Sequence, residues 1–107
     1  MAWVVTFMNA AVAAEFEEFP ADIRARFNRI RSLIEGHGIE QMREPHVKHL
    51  NGRLWEMRMS GRDGIARAIY VTASGQRVVV VHVFIKKTQK TPRREIELAH
   101  RRAKEVT

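Results

Sequence analysis

Residues 78–85 form an unbroken apolar segment that constrains the fold more than any other stretch of the chain. The segment begins with four consecutive valines, Val78 to Val81, and continues through His82 to Ile85. It is too short to form an independent helix, and valine is β-branched. This pattern therefore predicts a strand that is buried on both faces of a sheet.

A cluster of cations follows this strand directly, at Lys86, Lys87 and Lys90. Thr91 and Pro92 come next, and they predict the N-cap and the first turn of a helix. The backbone N–H groups at a helix start and the lysine side chains both favour negative charge. The end of the strand is therefore suited to bind a phosphate group.

The size and composition of the chain predict one domain, residues 1–107. The sequence contains no cysteine, which excludes disulfides, thiolate metal sites and a cysteine nucleophile, and which suits a reducing cytoplasm. No apolar stretch is as long as a membrane span, and the first residues lack the basic flank of a signal peptide. We therefore expect a cytoplasmic protein with no membrane partner.

The formal net charge is +7, and it is distributed unevenly. Residues 1–22 contain four acidic residues and no basic one, whereas residues 86–107 contain eight basic and three acidic residues. A basic domain with a basic C-terminal part predicts a polyanionic partner, RNA or DNA first. A basic protein with no such partner has the same composition.

Hydrophobic periodicity predicts the order β-α-α-β-β-β-α. The first helix is capped by Asn9, and Pro20 separates it from a second helix, which ends at Gly36 and Gly38. Residues 39–53 are predicted to be mostly loop, closed by a tight turn at Asn51-Gly52. Helices followed by hairpin-linked strands predict an α+β fold, with a mainly antiparallel sheet, a helical hairpin on one face and a C-terminal helix.

Polar residues recur at alternate positions of the predicted strands, which places them on one sheet face. We expect Trp55 and Met57 to be buried under the helical hairpin. The opposite face then presents an open polar site formed by Glu56, Arg58, Arg67, His82 and Lys86. Simpler interpretations remain: a surface ion pair of Glu56 with one arginine, and a core histidine at position 82. His46 and His49 are three residues apart, but no further ligand has suitable spacing, so no metal site is predicted.

Three segments together resemble the phage-derived, HigB-like branch of the RelE/ParE toxin superfamily. They are LWEMR at 54–58, GRDGIAR at 61–67 and HVFIKKTQKTP at 82–92. The resemblance implies the toxin of a type II toxin–antitoxin pair that cleaves mRNA on the ribosome and stops translation. In such enzymes the ribose 2′-OH attacks the adjacent phosphate, and no metal or other cofactor is required.

The resemblance also implies roles for individual residues. Arg67 matches the phosphate-stabilising arginine of the family, Lys86 and Lys87 match its basic cluster, and Glu56 and Arg58 match its polar strand positions. His82 is a candidate for proton transfer. Further RNA contacts are expected at exposed cations, namely Arg62, Lys90, Arg93 and Arg94. Many relatives carry a functional tyrosine near the C-terminus, whereas the only tyrosine here is Tyr70, in a strand.

The expected partners are the ribosome, mRNA and an antitoxin of the HigA type with a helix-turn-helix DNA-binding domain. Two surfaces are candidates for the antitoxin: the acidic first helix, with Glu15, Glu17 and Glu18, and the basic zone from Lys86 to Lys104. Two other functions remain open. ParE-like relatives share the fold and inhibit DNA gyrase, and a basic prophage protein could bind RNA without catalysis.

Overall fold

The computed structural model describes residues 2–44, 46–62, 64–86 and 90–107, and of Lys86 it describes only the backbone. The elements are β1 (Val4–Phe7), α1 (Ala10–Glu17), α2 (Ala21–His37), β2 (Val47–Asn51), β3 (Leu54–Gly61), β4 (Gly64–Ala73), β5 (Arg77–Lys86) and α3 (Arg93–Ala103), with a short 3-10 turn at Ile39–Gln41. The predicted α+β class, with a helical hairpin and a C-terminal helix, is confirmed.

The five strands form one sheet in the order β1-β5-β4-β3-β2. β1 runs parallel to β5, and all other neighbours are antiparallel, so the predicted mainly antiparallel sheet is also confirmed. β5 lies between β1 and β4, and all five of its valines, Val78 to Val81 and Val83, are buried. An interior strand with cover on both faces is therefore what the valine run encodes.

The prediction that residues 39–53 are mostly loop is wrong, because β2 lies within that range. β2 is an edge strand that pairs with β3, and of its side chains only Val47 is buried. A short edge strand with one buried residue shows little alternation of apolar and polar residues. Its position in the fold therefore follows from pairing with β3 rather than from its own sequence pattern. The predicted turn at Asn51-Gly52 is present, with Gly52 at φ 55° between β2 and β3.

Two apolar clusters cover the two faces of the sheet. The first contains buried residues of α1 and α2 together with sheet residues, including Val12, Phe16, Ile23, Phe27, Ile30, Ile34, Met57, Met59, Tyr70, Val78 and Val80. The second packs α3 and the C-terminus against the other face through Leu54, Ile69, Val71, Val79, Val81, Phe84, Ala99, Ala103 and Val106. The expected burial under the helical hairpin holds for Met57, whereas Trp55 is 39 % exposed.

The helix ends follow local chemistry, with one exception. Asn9 caps α1 by accepting a hydrogen bond from the Val12 N–H (3.0 Å), and Gly38 ends α2 at φ 92°. The expectation that Thr91 caps α3 is wrong, because Pro92 occupies the N-cap position and makes no side-chain capping bond. The Thr91 hydroxyl instead donates to a buried carboxylate on β3. In the described part of the chain, no helix combines the length and apolarity that crossing a membrane requires.

Candidate active site

The strand register brings four of the predicted site residues onto the sheet face that α3 covers. Arg58 on β3 lies directly opposite Arg67 on β4. One step along the strands, Glu56 lies opposite Ile69, which in turn lies opposite His82 on β5. The sheet therefore brings together four of the five residues predicted to share this face, and the side chain of the fifth, Lys86, lies outside the described part of the chain.

Glu56 is the centre of this polar cluster. Its Oε1 lies 3.5 Å from Arg67 Nε and 3.8 Å from Arg58 Nε, and its Oε2 accepts a hydrogen bond of 2.8 Å from the Thr91 hydroxyl. Two guanidinium groups on facing strands thus share one carboxylate. Among the described side chains of this cluster, two are positively charged and one is negatively charged, an arrangement that suits a phosphate rather than a metal cation.

The expectation that this face forms an open polar site is wrong for most of its members. Arg67 is 1 % exposed, Glu56 2 % and His82 6 %, because α3 and the Thr91 region cover them. In particular, the prediction that the Arg67 side chain faces solvent is wrong. Arg58 retains 20 % side-chain exposure and is the part of the cluster that solvent reaches.

Burial has a measurable electrostatic consequence for Arg67. Loss of solvent lowers the pKa of Arg67 below its ordinary value, the neighbouring Glu56 carboxylate acts in the opposite direction, and Arg58 lowers the pKa further. The interaction with Glu56 thus offsets part of the cost of burying the charge of Arg67.

His82 connects the sheet to α3. Its Nε2 lies 2.8 Å from Glu95 Oε1, and its Nδ1 lies 3.4 Å from Arg102 Nη1. An arginine nitrogen can only donate, so Nδ1 acts as the acceptor and the ring proton lies on Nε2, directed at Glu95. Both ring nitrogens are thus engaged, and the ring stacks on Phe84 at 5.3 Å. This environment favours a structural role for His82 over proton transfer.

A β-bulge accounts for the position of His82. The register between β4 and β5 shifts between Ile69 and Tyr70, so that Val81 is an extra residue on β5. Val81 belongs to the apolar cluster under α3, and the adjacent His82 bonds to α3 residues, so two consecutive side chains serve the same face. The Arg102 guanidinium also donates to the Val81 carbonyl (2.8 Å) within this irregularity.

The predicted RNA-contacting cations that the structure describes are distributed along the surface. The backbone of Lys86 pairs with Ile65 at the end of β5, and Lys87 lies outside the described residues. Lys90, Arg62, Arg93 and Arg94 are all exposed. Arg93 forms an exposed pair with Glu97 (3.2 Å), and the Arg62 backbone N–H donates to Asp22 (2.7 Å).

Some residues of the cluster were not identified from the sequence. Thr91 was assigned to a helix cap, and Glu95 and Arg102 were not singled out as contacts of the histidine. Helical spacing is the signal that could have identified Glu95 and Arg102, because they are seven positions apart and therefore lie on one face of α3. Tyr70 is buried in the other apolar cluster, on the sheet face opposite Glu56, and burial raises its pKa.

The two spaced histidines do not form a joint site. His49 Nε2 lies 2.9 Å from the Gly52 carbonyl oxygen, and its ring contacts Trp55. His46 precedes β2 and lines a separate cleft with residues of α2 and β3. Within the described ranges, no three His, Asp or Glu side chains come together in an arrangement that could hold a metal ion.

Comparison with known proteins identifies the family. Residues 14–104 match the family described as phage derived protein Gp49-like (DUF891). Among solved structures, the archaeal RelE of the RelE–RelB complex from Pyrococcus horikoshii OT3 is similar, with a TM-score of 0.57 and 22 % sequence identity over 79 % of this chain and 96 % of that chain. No curated protein matches the sequence. The predicted membership is thus confirmed: the chain belongs to the phage-derived Gp49-like family and has the fold of the RelE superfamily.

Proposed function

We propose that this protein is the toxin of a type II toxin–antitoxin pair and acts as a ribosome-dependent mRNA endoribonuclease. Family membership and the RelE fold support the toxin assignment. The observation that carries the nuclease assignment is the grouping of Arg58 and Arg67 around Glu56, close to the end of β5 at Lys86. Lys87 follows Lys86 in the sequence.

The proposed reaction needs charge stabilisation and orientation rather than a strong catalyst. The ribose 2′-OH attacks the neighbouring phosphorus, the bond to the 5′-oxygen breaks, and the products are a cyclic phosphate and a free 5′-OH. Negative charge accumulates on the phosphate oxygens in the transition state, and fixed cations stabilise it. We assign this role to Arg58, which is partly exposed, and to Lys86 and Lys87. Arg67 holds Glu56 from within the sheet.

Loss of a single charge tests this assignment. We expect Arg58→Gln and Lys86→Gln each to lower the cleavage rate by roughly 100-fold or more, as is typical when a transition-state donor is removed. Lys104→Gln, at the exposed end of α3, removes the same charge and is the matched control. Circular dichroism establishes that each variant is folded. Full activity of both site variants would show that the site is misplaced.

The function itself is tested by mapping RNA 5′ ends after induction. Discrete breaks within translated frames, found by primer extension on a reporter mRNA, support an mRNA endoribonuclease. An SOS response without breaks would indicate a gyrase inhibitor instead. Growth without either response would indicate a basic RNA-binding protein with no catalysis.

Dependence on the ribosome follows from the weakness of the candidate catalysts. Arginine and lysine side chains are poor proton acceptors at neutral pH, so the substrate has to be presented in an in-line geometry. We therefore expect the purified protein to cut mRNA on programmed ribosomes much faster than free mRNA. Cleavage should also survive EDTA at concentrations that leave ribosomes intact. Equal cutting of free RNA would identify a general ribonuclease.

We also propose an antitoxin partner with a helix-turn-helix domain, encoded next to this protein. The similar RelE was crystallised with RelB, which supports a protein partner. The acidic surface of α1 is partly neutralised, since Glu15 lies 3.8 Å from Arg102 and Glu17 lies 3.7 Å from Arg24. Charge reversal at Glu15, Glu17 and Glu18, compared with reversal at Lys86, Lys87 and Lys90, should identify the surface by its loss of affinity for the adjacent gene product.

A further inference from the structure

A basic cleft lies beside the Glu56 cluster, at the edge of β3 where β2 has ended. It has a volume of about 180 Å³. Its lining residues come from three parts of the chain: Arg26, Arg29 and Ile30 of α2, His46 before β2, and Arg58 and Ser60 of β3. Only one of these six residues is apolar. Three arginines, a histidine and a serine thus line one small space.

The arginines of α2 are not equivalent. The buried stripe of Ile23, Phe27 and Ile30 divides the helix surface into two flanks. On one flank, Arg24 pairs with Glu17 (3.7 Å) and Arg31 pairs with Glu35 (3.5 Å).

On the other flank, Arg26 and Arg29 are one helical turn apart and line the cleft. Among the ion pairs of the described residues, none involves either of them. Within the described residues, the arginines of α2 are therefore paired with carboxylates on the flank away from the cleft and not at the cleft.

We propose that this cleft binds a backbone phosphate of RNA, next to the phosphate that is cleaved. Arg26 and Arg29 would donate to the phosphate oxygens from α2, and the Ser60 hydroxyl would donate from β3. Arg58 joins the cleft to the proposed active site, because it lines the cleft and its Nε lies 3.8 Å from Glu56. The identity of the ligand rests on the proposed function, whereas the cleft and its charge do not.

The chemistry of the cleft favours RNA over an acidic segment of a protein partner. A bound protein segment gains most of its affinity from apolar contacts in desolvated pockets, whereas three of the six residues that line this cleft are arginines. Clustered arginines around a space of this size match the tetrahedral phosphate and its several acceptor oxygens. Contacts to phosphate position a nucleic acid without reading its sequence.

Binding should be measured with an RNA that cannot be cleaved. A short, fluorescently labelled, 2′-O-methylated RNA blocks the attacking hydroxyl, and its anisotropy reports affinity alone. The test variant is Arg26→Gln/Arg29→Gln. The matched control is Arg24→Gln/Arg31→Gln, which removes the same charge from the same helix on the opposite flank. Both pairs lie on the surface, and melting curves establish that each variant is folded.

We expect the cleft variant to bind this RNA about tenfold more weakly than the parent, and the control to change affinity by less than about threefold. The dependence of log affinity on log salt should become shallower by roughly 0.7 for the cleft variant, because it neutralises one phosphate fewer on a single strand. In the parent protein, addition of the RNA should shift the amide NMR signals of His46 and Ser60, which requires no variant.

The outcomes separate this inference from the proposed function. Weaker binding in the cleft variant supports the inference, even if the parent protein never cuts RNA. Cleavage by the parent together with unchanged RNA affinity in the cleft variant overturns it and leaves the nuclease intact. Unchanged RNA affinity with reduced affinity for the antitoxin also overturns it, and assigns the cleft to the protein partner. Equal losses of RNA affinity in the cleft variant and the control would indicate a general effect of charge, and they would likewise overturn the inference.

Discussion

Glu56→Gln is the substitution whose effect the structure defines best. It keeps the size of the side chain and an oxygen that can accept from Thr91, but it removes the negative charge that lies 3.5 Å from Arg67 Nε. Arg67 is 1 % exposed and cannot regain water without opening the sheet. At 3.5 Å and an effective dielectric constant of about 20, the attraction that disappears is about 5 kcal/mol. Breaking a buried pair in this way typically costs about 3–5 kcal/mol.

Urea denaturation followed by circular dichroism measures this loss. With a slope of about 2 kcal/mol per M, a loss of about 4 kcal/mol moves the midpoint down by roughly 2 M. Glu97→Gln is the matched control, because its pair with Arg93 is exposed (58 % and 91 %), and such pairs are worth less than about 1 kcal/mol. Equal midpoint shifts for Glu56→Gln and Glu97→Gln would refute the argument.

A second set of variants separates the effect of the lost charge from the effect of altered packing. Arg67→Met alone should cost less than Glu56→Gln, because Glu56 keeps Arg58 and Thr91 as partners. The double variant Glu56→Gln/Arg67→Met contains no arginine at position 67 and should recover at least half of the loss caused by Glu56→Gln. Additive losses in the double variant would mean that the two charges do not stabilise one another. Because Arg67 is buried, its replacement is expected to lower stability, so its effect on activity has to be corrected for folding.

Other predictions concern the contact between β3 and α2. A methyl group added at Gly61 meets Ile23 Cγ1 at 2.6 Å, so Gly61→Ala should lower the free energy of unfolding measured in urea by about 1–3 kcal/mol. Gly36 lies in a helix with open space around it, so Gly36→Ala should raise the free energy of unfolding by about 0.5–1 kcal/mol. A stabilising Gly61→Ala and a destabilising Gly36→Ala would contradict the packing. The hydrogen bond from the Arg62 N–H lowers the pKa of Asp22 in the folded protein below its ordinary value of 3.8. The ionised carboxylate therefore stabilises the fold above pH 3.8, and this stabilisation is lost as the pH falls through the pKa of the folded state. The midpoint difference between the parent and Asp22→Asn should therefore shrink on acidification below about pH 4, and a difference that grows instead would contradict this assignment.

The elements with strong local signals were predictable from the sequence. The valine run of β5, the cap at Asn9 and the glycine end of α2 each depend on a few neighbouring residues, and each appears where expected. β2 was missed because its pairing with β3, rather than its own alternation, defines it. The β-bulge at Val81 was also beyond prediction, since it arises from register between two strands.

For the described strand residues of the candidate site, the sequence predicted a shared sheet face correctly and their exposure incorrectly. Period two places Glu56 and Arg58 on one face of β3, and the register with β4 adds Arg67 to that face. Whether that face is open depends on where the last helix packs, and its apolar stripe does not specify one sheet face over the other. The expectation of an open polar face was therefore wrong because of how α3 packs on the sheet, whereas the alternation within each strand was predicted correctly.

The packing of α3 also determines where a substrate can reach the cluster. Its contact residues include Ala99 and Ala103, both buried, and such small side chains let a helix approach a sheet closely. The close packing of α3 on the sheet buries Glu56, Arg67 and His82. Thr91, just before α3, adds a hydrogen bond to Glu56. Access remains on the β3 side, where Arg58 is partly exposed and borders the basic cleft. An RNA that follows this edge would contact the cleft and Arg58 in succession, while the buried carboxylate fixes the position of Arg58 from below.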